Sequence, residues 1–277
     1  WPSCILFFCF AWLEISWPGA SIPSSVATAL LVYTAITFLG MFIFGRSKWL
    51  QYGECFSVVY RIFSYFSITE GKIKQDEKTL FLRLPGVGLH QQSDKPKELT
   101  LIFFILLLLS TVTYDGFKET EFFETSVAKL QLYAANLNVL QTADNIALLF
   151  DIVGLLLFPI LFTSVYFFFI WLSAFMENRD DKTMDLAGAF IYSIVPIAIA
   201  YHLSHYISLL AIEGQSIIRL ISDPFGIGWN LFKTADYKTY INIVNAKFVW
   251  YFSVISIVIG HIVSVYIAHI ESIRIYV

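Results

Sequence analysis

Two histidines three residues apart, His202 and His205 in AYHLSHYISLL, share one face of any helix that carries them. A third, His261, lies in the last apolar run, and His269 follows it. An i,i+3 histidine pair plus one ligand from another helix is a workable shell for a divalent metal such as zinc, copper or iron. Histidines on two different helices could equally clamp a haem iron, a weaker expectation here. Two carboxylates complete the set: Asp115 in STVTYDGF and Asp151 in LLFDIVG. The chemistry such a group would do is activation of a metal-bound water, with Asp115 or Asp151 as ligand or general base.

Membrane helices must position these residues. Runs 24–44, 99–113, 146–176, 187–212 and 249–270 are apolar enough and long enough to cross a bilayer. An ionisable group at that depth costs roughly 2.5–3.5 kcal/mol on insertion scales, so the histidines need a reason to be there. Counting from residue 187 at about 1.5 Å per residue puts His202 roughly 22 Å along its span, with His205 farther on. Asp151 and Asp115 fall at a matching outer level, His261 lies deeper, and His269 reaches the opposite surface. Three readings stay open on residues alone. They are polar contacts between helices, a metal or haem site, and a path for protons or substrate.

Composition removes other classes. Hydrophobic residues make up 57 %, charged residues 14 % and aromatic residues 18 % of 277. Mean hydropathy is +0.69. A soluble globular domain does not fit apolar runs of this length. Net charge is −3 and no basic stripe exists, which excludes nucleic acid as a partner. Cys4, Cys9 and Cys55 have neither the spacing nor the number for a thiolate site or a disulfide framework.

The rest of the chain reads as follows. Residues 1–17 look like the end of a membrane helix, closed by Pro18-Gly19, and the start at Trp1 predicts an N-terminally truncated fragment. Residues 49–66 predict an amphipathic interfacial helix. Nine of the 18 Lys and Arg lie between 45 and 98, which assigns the polar loop 70–98 to the cytoplasm. Loops 114–145 and 213–247 then face outside, and 177–185 is a short cytoplasmic turn. Pro159 and Pro196 predict kinks. Ser256, Gly260 and Ser264 form a small-residue stripe for close helix packing. Arg219 and Asp223 predict an ion pair beside a turn at Pro224, Gly226 and Gly228. Asp151 is expected to pair with Tyr166 or a histidine if it is only structural. Serine-nucleophile, HExxH and P-loop motifs are absent.

Several blocks together resemble one family. They are FGRSKWLQYGECFSVVYRIFSYFS, LRLPG, LLLLSTVTYDGFKET, YHLSHYISLLAIEGQ, ISDPFGIGWNLFKTADY and VWYFSVISIVIGHIVSVYIAH. They are similar to prokaryotic multi-pass membrane proteins commonly labelled fenitrothion hydrolase, over about residues 10–270. The resemblance implies further upstream helices and hydrolysis of an organophosphate-like ester by a metal-activated hydroxide. His202, His205 and His261 match its blocks as candidate ligands, with Asp115 and Asp151 matching less closely.

The expectation is therefore an all-α polytopic membrane protein of a prokaryotic inner or plasma membrane. It has about five full spans, a partial N-terminal one and an interfacial helix in a single domain. Its partners are the bilayer and other membrane subunits. Function is expected to be a metal-dependent hydrolase; the alternatives are a transporter or channel component with a proton or cation path, and a haem-bearing electron carrier.

Overall fold

In hydrocarbon every backbone N–H must find its carbonyl within the segment, so the apolar runs fold as helices. A computed structural model of the chain describes residues 1–74, 77–91, 98–137, 143–177 and 183–276; side chains at 72–74, 77–78, 134–137 and 143–145 fall outside that description. Helix α1 (Pro2–Ile15) and helix α2 (Pro23–Phe44) each start on proline, where no intrahelical donor is lost. Two short helices, α3 (Arg46–Tyr52) and α4 (Cys55–Ser64), precede a hairpin of β1 (Thr69–Lys74) and β2 (Glu77–Leu82) and a single turn, α5 (Val87–His90). Then come α6 (Leu99–Lys118), α7 (Glu121–Leu137) and α8 (Ala143–Met176). Helix α9 (Thr183–Phe190) passes through a 3₁₀ turn at Ile191–Ile194 into α10 (Val195–Ile212). Helices α11 (Ser216–Ser222) and α12 (Ala246–Tyr276) complete the chain.

Five stretches are long and apolar enough to cross a membrane: α2, α6, Ile146–Met176 of α8, Thr183–Ser222 and α12. The chain is a multi-pass, all-α membrane protein. It forms two compact units, one of residues 1–196 and 263–277, the other of 197–262. The spans differ in how enclosed they are. Burial reaches 61 % in α6 and in Thr183–Ser222, against 6 %, 17 % and 11 % in α2, α8 and α12. Helix α6 is buried on all sides, from Ile102 through Phe104, Leu106 and Leu108 to Val112. The open spans present Phe42, Phe169 and Tyr266 outward, as lipid contact requires.

Two polar segments are more ordered than expected. The stretch 70–98 carries the antiparallel hairpin, with Thr69 opposite Leu82 and Gly71 opposite Leu80. Arg83 holds it to the end of α4: its guanidinium donates to Ser67 O and Ser64 O, each at 2.9 Å, and lies 3.5 Å from Glu70. Residues 114–145 contain α7, whose start is capped by Thr120 Oγ1 accepting from Phe123 N at 3.3 Å. Glu121 and Glu124 are first-turn residues that suit the helix dipole. Lys72, Lys74, Lys78, Lys95, Lys97 and Asp144, and most of the turn 177–185, lie outside the described side chains.

The interfacial segment 49–66 is two helices broken at Gly53. Glu54 caps α4, accepting from Phe56 N at 3.0 Å and Ser57 N at 2.6 Å, and Tyr33 of α2 donates its hydroxyl to the same carboxylate. Burial pushes Glu54 up, but the bonds from Ser57, Tyr33 and Phe56 outweigh it and hold the carboxyl below its ordinary range. Burial pushes the neighbouring Cys55 thiol up to about 11; Tyr33's hydrogen bond opposes this and Glu54's charge adds to it. Because the folded value of Glu54 lies below the unfolded one, its contribution is complete above the ordinary carboxylate range. It is lost as pH falls through the depressed value. Glu54→Ala should cost about 1 kcal/mol at neutral pH. Glu54→Gln should remove part of the acid-induced loss of stability, read by tryptophan fluorescence between neutral and acid pH. Identical acid limbs for wild type and variant would contradict this role.

Candidate functional site

The histidines lie on two membrane helices of the second unit. His202 Nδ1 donates to Ala198 O on its own helix at 2.8 Å, and His261 Nδ1 does the same to Ile257 O at 2.7 Å. Each bond assigns the proton to Nδ1 and makes Nε2 the lone-pair nitrogen. Tyrosines lie beside the rings, in two separate groups. His205 meets Tyr206 edge-on, with ring centroids 4.8 Å apart. His202 lies 6.2 Å from the same tyrosine, and Tyr201 lies 6.3 Å from His261.

Serines beside these rings do structural work. Ser204 Oγ, buried on α10, donates to Ala200 O at 2.7 Å and reaches Ser253 O on α12 at 3.3 Å. Ser253 Oγ returns the contact to Ser204 O at 3.3 Å. Such reciprocal hydroxyl–carbonyl bonds lock two membrane helices at close approach. In the predicted small-residue stripe, Gly260 and Ser264 are buried and Ser256 is half-buried.

The carboxylates are in the other unit. Asp151 Oδ2 receives Lys118 Nζ at 2.9 Å, and Oδ1 receives the Tyr114 hydroxyl at 3.3 Å. Lys118 also donates to Ile15 O at 2.8 Å, so one ammonium joins α1, α6 and α8. Gly154 makes this possible: a Cβ there would come within 2.2 Å of the Tyr114 ring. The Tyr114 ring packs with Ala11, Leu155 and Phe158 in a buried cluster. Asp115 is half-buried, one residue beyond Tyr114. Asp151's partners are therefore Lys118 and Tyr114, whereas the Tyr166 hydroxyl donates to Ala187 O at 2.6 Å.

Among the described residues no three of His, Cys, Asp or Glu come together to hold a metal ion. The structure brings His202 and His205 onto one face and sets Tyr201 beside His261. Asp223, expected to pair with Arg219, instead accepts from Ile227 N at 3.0 Å and Gly228 N at 2.8 Å, closing the turn at Pro224, Gly226 and Gly228. His269 is exposed.

No protein-family model, no curated protein and no solved structure matches this chain.

One polar group escaped the sequence reading altogether. Glu271, 1 % exposed near the end of α12, accepts from His90 Nδ1 at 2.6 Å and forms an ion pair with the Arg274 guanidinium 2.6 Å away. Arg274, one turn farther on, was a usable signal, because i,i+3 charges of opposite sign meet on a helix. His90 was not: it lies 181 positions away.

Proposed function

We propose that this chain is a proton- or cation-handling membrane protein of the transporter or channel kind. The observation that carries this is the two groups of imidazole and phenol rings on α10 and α12: His205 and His202 beside Tyr206, and Tyr201 beside His261. With Nδ1 of His202 and His261 committed to backbone carbonyls, Nε2 is the nitrogen that takes up and releases a proton. Ionisable groups kept inside a membrane helix mark such paths.

The break in the span agrees with this reading. Thr183–Ser222 is interrupted by the 3₁₀ turn at Ile191–Ile194, with Pro196 in the first turn of the helix that resumes, and it is among the two most enclosed spans. Interrupted membrane helices recur where transporters bind their cargo. In a prokaryotic inner or plasma membrane, lipid would cover the open faces of α2, α8 and α12, with other membrane subunits meeting part of that surface.

A hydrolase of organophosphate-like esters, the activity that the family resemblance implies, is the second reading. It is favoured by the same Nδ1-to-carbonyl bonds, which orient Nε2 as a metal-ligating histidine requires. It needs a third ligand for His202 and His205, and none is assembled among the described residues.

One preparation separates the two. The purified chain is reconstituted in vesicles holding a pH-sensitive dye, and its metal content is measured in parallel. Dissipation of an imposed proton gradient, lost in H202A/H205A while unfolding stays unchanged, supports the proposal. Stoichiometric zinc that disappears in the same variant, with no flux, replaces it by the hydrolase reading. Neither flux nor metal rejects both.

A further inference from the structure

A cleft of about 370 Å³ opens in the first unit where α2 ends and α6 begins. Its size is that of a small-ligand pocket. Phe44, Trp49 and Phe104 give it an apolar wall, and Lys48, Arg61 and Glu98 bring charge to it. Trp49 is fixed: Phe44 stacks on it with centroids 5.7 Å apart. Cβ atoms at Gly40 and Gly53 would come within 2.2 Å and 2.4 Å of its indole. The wall is therefore rigid and preformed. Arg61 extends over the Tyr52 ring, 5.9 Å from its centroid. Among the described residues neither Lys48 nor Arg61 is held in an ion pair, although Glu98 lines the same cleft.

Position identifies the occupant. The apolar span α2 stops at Phe44, and Arg46 and Lys48 follow it; Glu98 immediately precedes the apolar α6. A cleft bounded by two span ends lies where hydrocarbon gives way to water, the level of lipid phosphates, and Trp49 and Tyr52 suit that level. Lys48 and Arg61 offer two cationic donors beside the single carboxylate of Glu98, a set that suits one phosphodiester. We propose that this cleft binds one monoanionic phospholipid. Its phosphate lies on Lys48 and Arg61, and the start of an acyl chain lies against Phe44 and Phe104. The opposing Glu98 disfavours a dianionic phosphomonoester.

The test is native mass spectrometry of the full chain in lipid-free detergent, titrated with phosphatidylglycerol, phosphatidic acid or phosphatidylcholine of one acyl composition. One phosphatidylglycerol per chain should be retained, more strongly than the other two. Retention should fall on the order of tenfold in K48Q/R61Q, as expected for two lost charge-assisted bonds. K129Q on α7 should retain it as wild type does. T100W fills the cleft without touching its charges and should also prevent retention. Equal retention by wild type and K48Q/R61Q, or equal retention of phosphatidylglycerol and phosphatidylcholine, would overturn the proposal. So would retention of glycerol phosphate as strong as that of the lipid.

Discussion

Replacing Lys118 by methionine should lower the unfolding free energy by about 3 kcal/mol, because it leaves a carboxylate behind in a largely buried site. The pair is well shielded, at 20 % exposure for Lys118 and 15 % for Asp151. Lys118 also supplies the bond to Ile15 O, so the substitution unties α1 from α6 and α8. Asp151→Asn should cost less, about 1 kcal/mol. The amide still accepts from Tyr114, and the ammonium keeps the Ile15 carbonyl. The double variant K118M/D151L should recover much of the loss, since no buried charge remains. Denaturant titration in mixed micelles, followed by tryptophan fluorescence, orders the three. If K118M proves no more costly than D151N, Asp151 has another source of stabilisation and the pair is not what holds these helices.

That pair also shows how far the sequence could be read. Hydropathy predicts a span ending at residue 113, whereas α6 continues to Lys118. The run looked finished because charges appear there, and charges near a span end usually mean water. Here Lys118 finds Asp151 at a matching depth on α8, so the helix extends. Depth matching linked Asp115 with Asp151, but it assigned Lys118 to the loop. The five spans were legible because a backbone without water has one local solution, and apolar length reports it. Helix α7 was not, because its acidic residues read as solvated loop until Thr120 is recognised as a cap.

The histidines were legible in the sequence, whereas the rings beside them were not. Spacing places His202 and His205 on one face, and that follows from the helix alone. Which residues of α12 meet that face depends on helix rotation, which no periodicity states. Tyr201 and Tyr206, which touch the rings, are aromatic residues in a membrane span and resemble any lipid-facing tyrosine. The sequence indicated where ionisable groups sit; packing decided that they meet phenols.

The Glu271 group yields an ordering that chain-local reasoning would invert. Glu271 is 1 % exposed, whereas the side chains of His90 and Arg274 are 42 % and 29 % exposed. Losing the anion therefore strands two groups that can still turn to water. Losing both partners strands a carboxylate that cannot. The variant H90L/R274L should lose about 3–5 kcal/mol, with the carboxylate left uncompensated. Glu271→Gln should lose about 1 kcal/mol, because the amide oxygen still accepts from one partner. Their triple combination H90L/R274L/E271L should be more stable than H90L/R274L, since apolar replacement of a whole buried ion group is close to neutral. The same mixed-micelle titration measures all three. The reverse order, with E271Q the most damaging, would mean that the glutamate anchors His90 and Arg274. In that case α5 would be held to α12 by the glutamate's bond to His90 rather than by the need to neutralise a buried acid.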